Sequence, residues 1–501
     1  MAQYVLVNRR SGKFTKQAKA RSQASVAETL GLLSSAQIVG EHAPEDPLAR
    51  HVVLLEADTA EVAAIRARLP ADSMLEPAIR RNLHRRVPIE LRPAIPHTAT
   101  AAAGASTYKA TITGGGKPLA AIEVMLYLRD PAGQVQTVTV TTNSSGSISF
   151  KVPGGFQVAF VEPIPYASFW IMLAEAPPSG SEIDCLPIAK AAGFKGWWHD
   201  VMHVDVSKTT RGAGINVGVI DTGCGPHRNL KHVTLVGAFV DGAAFPPKDA
   251  TDVAEHGTHT TGIIGARPTK ASEYAGIATG CNLFHARVFK GEGPEDGPSQ
   301  ADIINAIDAL SRDHQCDLIN MSLGGGPPSA AEEDAIRDAV ERGTLCICSA
   351  GNDDGPIEFP GAYPECRAVS AIGKVGWAPP GTFSANNRPH EPSKMGQNNL
   401  FLASFSCFGP TLACAAPGVG IVSTVPDRKG FKGAYMEMDG TSMASPAACG
   451  ALAVILSKDA AYKAMARDAS RAKRAALLLS QHCRPFGLQV MYEGRGLPTL
   501  Q

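Results

Sequence analysis

Residues 318–348 read LINMSLGGGPPSAAEEDAIRDAVERGTLCIC. Two short apolar runs, Leu318–Met321 and Leu345–Cys348, bracket a helical pattern over Ala330–Glu341. Strand, helix, strand, with the strands apolar along nearly their whole length, predicts a parallel sheet covered by helices on both faces. Outward from this stretch the same alternation continues, with a strand at Ile215–Ile220 and a helix at Ala301–Ser311. An α/β unit over residues 183–485 accounts for it. Sites in such sheets form at the carboxyl ends of strands, so the segments that follow the strands are where chemistry belongs.

Two smaller units precede it. Residues 1–90 predict a small α+β domain. Its strands fall at Tyr4–Val7, His51–Leu55 and Met74–Ile79, and its helices at Ala24–Leu33 and from Thr59, as the cap, through Leu69. A basic stretch bounded by proline, Arg80 to Pro88, reads as an exposed linker. Residues 100–177 predict a β-sandwich domain, with runs at Tyr108–Ile112, Ala121–Leu128, Val135–Thr141, Ser147–Val152, Phe156–Val161 and Phe169–Leu173. Turn chemistry at Gly114–Gly116, Asp130–Gly133, Asn143–Gly146 and Pro153–Gly155 separates them. No nucleophile or base clusters there, so it reads as a spacer or as a module for an unidentified ligand.

The 501 residues carry 47 basic and 47 acidic side chains, with 44% hydrophobic and 19% charged positions. That composition excludes a disordered chain, and a net charge of zero gives no electrostatic reason to expect nucleic acid or an anionic membrane as partner. No apolar run approaches the roughly 18 residues of a membrane span, and no signal peptide is read at the amino end. The 11 cysteines are odd in number, begin at Cys185 and form no CxxC pair. Reduced, buried thiols and a cytoplasmic location are the expectation, with leaderless export left open.

Four segments carry chemistry. Asp221-Thr222-Gly223 follows the strand Ile215–Ile220, where an aspartate can orient a base or simply cap a turn. His256-Gly257-Thr258-His259 opens a small-residue segment; no third ligand stands at metal spacing, so no metal or other cofactor is expected. Gly440-Thr441-Ser442-Met443-Ala444-Ser445-Pro446 leads into the apolar helical run Ala447–Leu456, with Pro446 in its first turn. Ser442 then lies at a helix amino end, where free amides stabilise negative charge, although a helix-capping serine is the bland alternative. Asn352, in Ser349-Ala350-Gly351-Asn352, follows the strand Leu345–Cys348 and is a candidate oxyanion donor or a turn residue. Cleaving an amide through serine needs a base, a group that orients the base, and oxyanion donors.

Together these blocks, with Val219–Gly223, Ile319–Gly325 and Ala415–Gly418, resemble the subtilisin-like serine proteases over roughly residues 197–456. The resemblance implies that Asp221 orients, His256 is general base and then acid, Ser442 attacks, and Asn352 joins the Ser442 amide in the oxyanion hole. It also implies that Ser322, Leu323, Gly324 and Gly325 form a strand edge that pairs with a polypeptide substrate. Aligning Phe359-Pro360-Gly361 puts Glu358 at the base of the pocket for the residue before the scissile bond and Asp353 at its rim. That arrangement favours Arg or Lys there, against the competing reading of solvated loop charges. The calcium site of many relatives is not expected, because His227-Arg228-Asn229-Leu230 and the Arg267–Tyr274 loop lack clustered oxygen ligands.

By position and pattern the first unit resembles the family's propeptide, a folding aid and intramolecular inhibitor whose tail lies in the cleft. Arg85 or Arg86 would suit a pocket holding Glu358, and maturation would cut near Arg86 or nearer Lys195. A non-catalytic scaffold, and a peptide ligase or cyclase working through the same acyl-enzyme, are the alternatives to a self-inhibited endopeptidase.

Overall fold

The computed structural model describes residues 1–8, 31, 37–44, 49–70, 72–83, 104–291, 293 and 296–501. The alternation read at residues 318–348 belongs to a nine-stranded sheet. In spatial order its strands are Ala243–Phe245, Thr234–Val240, Asn282–Arg287, Asn216–Asp221, Leu318–Met321, Leu345–Ser349, Arg367–Lys374 and Leu400–Leu402, with Cys414–Pro417 also on Arg367–Lys374. Every pairing from Thr234–Val240 across to Arg367–Lys374 is parallel.

Successive strand residues serve opposite faces. Val217, Val219, Leu318, Leu345 and Ile347 pack with the helices His256–Gly265, Thr441–Lys458 and Ala469–His482. Ile220, Ile319, Met321, Cys346 and Cys348 pack with Gln300–Asp308 and Ala330–Glu341. Both faces are covered, which is why these strands are apolar along nearly their whole length. The helix Ala330–Glu341 starts where Ser329 accepts the Glu332 amide, with Glu332 and Glu333 in its first turn. The helix expected at Ala301–Ser311 runs Gln300–Asp308 and continues as one wider turn to Asp313.

Near the amino end, strands Gln37–His42, Val52–Ala57, Ala2–Asn8 and Ser73–Pro77 make an antiparallel sheet in that order. One face packs on the helix Thr59–Arg68 through Leu6, Val53, Leu55, Val62 and Ile65. That helix is capped by Asp58 in a capping box with Glu61, not by Thr59, because Asp58 alone has the extended backbone that aims its carboxylate at the Glu61 amide. The helix expected at Ala24–Leu33 falls outside the described residues, apart from residue 31.

The opposite face of that sheet, Val5, Val7, Val52, Leu54 and Met74, shares a core with Ile303 and Ile307 of the large unit. Polar contacts fix the docking. Arg50, 2% exposed, pairs with Asp308, Asp334 and Asp338 at 2.9, 2.9 and 2.8 Å. Glu76 accepts the Ser329 hydroxyl at 2.7 Å and the Ala330 amide at 3.0 Å, placing a carboxylate on the amino end of the helix Ala330–Glu341.

Residues 106–185 form two four-stranded sheets around one core that includes Ile112, Val124, Leu126, Leu128, Ile148 and Val161. One sheet reaches further along the chain than the sequence suggests, because Ser181–Cys185 pairs in parallel with Ala110–Gly114. The run Phe169–Leu173 is not a strand of either sheet. Its backbone turns to the large unit instead: Leu173 donates to Gly381 O at 2.8 Å, and Phe383 donates to Ile171 O at 2.9 Å.

All 11 cysteines are free and buried. Among the described residues no helix is long and apolar enough to cross a membrane.

Candidate active site

Asp221 ends the strand Asn216–Asp221 and is fully buried. Its Oδ1 accepts the Thr222 amide and faces His256 Nδ1, both at 2.7 Å, and its Oδ2 accepts the Thr260 hydroxyl at 3.0 Å. Burial alone would raise its pKa, but the His256 charge and hydrogen bond, His285 and the Thr222 amide outweigh it and hold the carboxyl below its ordinary value. A carboxylate against Nδ1 assigns the proton to that nitrogen and leaves the Nε2 lone pair outward. His256 Nε2 is buried and has no hydrogen-bond partner among the described residues.

His256 is the first residue of the helix His256–Gly265, which packs beside Thr441–Lys458. That second helix begins at Thr441, earlier than the sequence suggests, so Pro446 lies inside it. The missing Pro446 amide is the group that would have bonded Ser442 O one turn back. That carbonyl instead accepts the Ser322 hydroxyl at 2.8 Å. The proline thus frees a tether between the helix start and the strand edge at Ser322.

Ser442, the second helical residue and fully buried, directs its hydroxyl to Ser322 O at 3.4 Å. The serine–histidine hydrogen bond is not made in this arrangement; such contacts are often long until substrate binds. Gly440 precedes the helix at φ 152°, a backbone only glycine adopts easily, and a Cβ there would stand 3.3 Å from Asn352 Nδ2. Asn352 Oδ1 accepts the Thr441 amide at 3.0 Å and hydroxyl at 2.7 Å, which orients its amide nitrogen. Beneath, Ser445 donates to Asn320 Oδ1 at 2.6 Å and Asn320 donates to Ser322 Oγ at 3.0 Å.

Ser322 and Leu323 are fully buried, and the backbone of Gly324 and Gly325 forms the edge beyond them. Glu358 is half-buried with its carboxylate packed between the two glycine walls. A Cβ on Gly351 would meet its Cδ at 2.7 Å and one on Gly325 its Oε2 at 4.0 Å. Asp353 is exposed on the same loop. Arg85 and Arg86 lie outside the described residues, whereas Lys195 is described and pairs with Asp200. Among the described residues no group of three His, Cys, Asp or Glu side chains is placed to hold a metal ion.

Thr260, which fixes the second oxygen of Asp221, went unread in the sequence. It stands four residues after His256, on the same helical face, and that spacing was the available signal. Thr441 and Asn320 also went unread, having no signal beyond lying in recognised blocks.

A parallel sheet with an aspartate at a strand end, a histidine bonded to it and a serine at a neighbouring helix start defines a serine hydrolase architecture. A family model described as "Subtilase family" matches residues 212–481, and the chain belongs to that family, whose members are serine endopeptidases. It is 34% identical over 260 residues to the "Major intracellular serine protease" of Bacillus subtilis (strain 168), covering 50% of this chain and 71% of the relative. It is 33% identical over 254 residues to "Subtilisin DY" of Bacillus licheniformis, covering 50% and 78%. A solved "cold adapted subtilisin-like serine proteinase" aligns at 25% identity and TM-score 0.43, over 58% of this chain and 88% of that one.

Proposed function

We propose that the chain cleaves peptide bonds through Asp221, His256 and Ser442, with Asn352 binding the oxyanion. The observation that carries this reading is the buried Asp221–His256 pair at 2.7 Å, its outer ring nitrogen uncommitted, beside a helix that opens on Ser442. Ser442 Oγ bonds to the substrate carbonyl carbon as its proton passes to His256 Nε2. The carbonyl electron pair moves onto oxygen, stabilised by the Ser442 amide and Asn352 Nδ2. Asp221 stabilises the imidazolium, which then gives its proton to the leaving amine as the C–N bond breaks. Water repeats the sequence on the acyl ester, and Ser442 recovers its proton.

The substrate backbone pairs with the edge Ser322–Gly325. The chain's own Asn82 supports this, since its amide donates to Gly324 O at 2.7 Å and its carbonyl accepts the Gly324 amide at 3.2 Å. Glu358, between the two glycine walls, favours Arg or Lys before the scissile bond, with Asp353 adding charge at the rim. The amino-terminal unit is an intramolecular inhibitor: its sheet docks through Arg50 and Glu76 while Asn82 fills the edge a substrate needs. The unpaired cysteines and the printed name of the Bacillus subtilis relative favour an intracellular location.

Intact-mass spectrometry of wild type beside Ser442→Ala tests the reading, together with labelling by a serine-directed fluorophosphonate. Wild type is expected to shorten and to label, and the variant to do neither. Identical intact, unlabelled chains would remove it. Matched peptides ending in Arg or Phe at the cleaved bond test the Glu358 pocket, with faster turnover after Arg expected; equal turnover removes that part alone.

A further inference from the structure

Among the described residues Arg81 is the largest charged side chain that is wholly shut away from water, at 0% exposure. Its guanidinium forks onto Glu332, with Nε to Oε1 at 3.2 Å and Nη2 to Oε2 closer still. Nη1 donates to Gly325 O, and it also donates, at 2.9 Å, to Pro327 O. The Tyr363 hydroxyl bonds Glu332 Oε2 at 2.9 Å and stands 3.5 Å from Arg81 Nη2. Every one of these partners comes from the large unit. Glu332 is also 0% exposed, so without a guanidinium its carboxylate would keep only the tyrosine hydroxyl and its helix neighbours in a closed pocket, a costly state.

The backbone that delivers Arg81 is an extended segment laid between two edges, held by isolated bridges. Arg80 bridges Ser299, Arg81 donates to Pro298 O at 2.9 Å, and Asn82 exchanges both hydrogen bonds with Gly324. In an antiparallel ladder the next such exchange comes two residues on. A peptide in this register therefore brings the residue three beyond its arginine opposite Ser322. The Ser322 carbonyl is the group 3.4 Å from Ser442 Oγ. The acyl group under attack belongs to that residue, and the arginine is the fourth residue on the amino side of the cut.

We infer that Glu332 and Tyr363 form a second specificity pocket that selects substrates with arginine four residues before the scissile bond, and that Arg81 occupies it as a substrate mimic. The inference rests on the endopeptidase reading and adds to it a position for recognition remote from Glu358. Lysine fits less well, because one ammonium cannot span both Glu332 oxygens and the two carbonyls at once.

The test offers full-length protein two mass-coded peptides in one tube, alike except for Arg or Ala at that fourth position, with a Lys peptide as a third arm. The ratio of kcat/KM values in a competition does not depend on how much enzyme has lost its amino-terminal segment. Wild type is expected to favour Arg over Ala by about 100-fold, with Lys between, as a site built to hydrogen-bond a group rejects the analogue lacking it. Glu332→Gln should bring the preference below about fivefold, and Tyr363→Phe should reduce it partly. Should Glu332→Gln fail to fold, Tyr363→Phe carries the test by itself. Equal cleavage of the Arg and Ala peptides by a wild type that turns them over, or an unchanged ratio in the foldable variants, overturns the pocket. Absence of any turnover and of fluorophosphonate labelling overturns the endopeptidase reading instead.

Discussion

His256 and His259 stand three residues apart on one helix, at 1% and 0% exposure, yet their partners set them to opposite tasks. His256 meets a carboxylate through Nδ1 and leaves Nε2 uncommitted. His259 spends Nε2 on two backbone carbonyls, Met436 O at 3.0 Å and Ile421 O at 3.1 Å. Both acceptors are carbonyls, so Nε2 carries the proton and the ring stays neutral. Burial, with a smaller contribution from His256, takes the His259 pKa down to about 3. Equal burial thus leaves one ring with an uncommitted nitrogen, as the proposed proton transfer requires, and makes the other a permanent strut; the neighbouring group decides.

The largest break in this comparison is Asp221→Asn. It keeps the shape but offers His256 an amide in place of the carboxylate, which turns the ring to the wrong tautomer and removes the stabiliser of the imidazolium. A fall in kcat of about 10⁴-fold is expected, with little change in KM or thermal midpoint. Less than a tenfold loss would mean that Asp221 does not orient the base. Thr260→Val sharpens the same point at smaller scale. It removes the hydrogen bond to Asp221 Oδ2 while keeping the volume of the side chain. Because Asp221 still holds His256, kcat is expected to fall about tenfold, a cost in positioning alone. An unchanged kcat would show that the Thr222 amide suffices.

The fold was legible wherever apolar periodicity reports on burial. Leu318–Met321 and Ala330–Glu341 lie where the pattern puts them, because each core position along them is read locally. The run Phe169–Leu173 has the same local pattern, yet its backbone goes to Gly381 and Phe383, a competition between partners that no window of sequence contains. The chemistry divides in the same way. Asp221, His256, Asn352 and Ser442 each have a bland local reading, and only the joint match of their short blocks to one family pattern gives them their proposed roles. Glu332 belongs to no such block. In sequence it is an ordinary acid in the first turn of a helix, where the dipole welcomes it. Only a contact across 251 positions with Arg81 makes it a buried pocket floor, and Arg81 itself reads as part of a solvated basic linker. Residues whose role is created by a single long-range contact carry no signal in their own neighbourhood.

The smallest expected effect concerns His259 and acid. An unfolded histidine takes up its proton near pH 6.5, whereas folded His259 resists until about 3. Between those values the unfolded chain binds more protons than the folded one, so stability rises with pH. The contribution is fully present above about pH 6.5 and is lost progressively as pH falls toward 3. His259→Gln keeps an N–H donor for the two carbonyls but cannot titrate. In a Ser442→Ala background, which prevents self-digestion during the measurement, the unfolding free energy from denaturant titration should be slightly lower for the glutamine variant at pH 7, by about 1 kcal/mol for imperfect packing and geometry. The slope of unfolding free energy between pH 6 and 4 should be shallower by up to about one proton, while the other groups that titrate in that window, among them His199, His232 and His285, each lowered to about 4, and Asp302 and Asp439, each raised to about 6, are common to both proteins and cancel in the comparison. Identical slopes in the two proteins would mean that His259 is protonated in the folded state. The contrast with His256 would then lie in geometry alone, because a charged ring would no longer be a neutral strut.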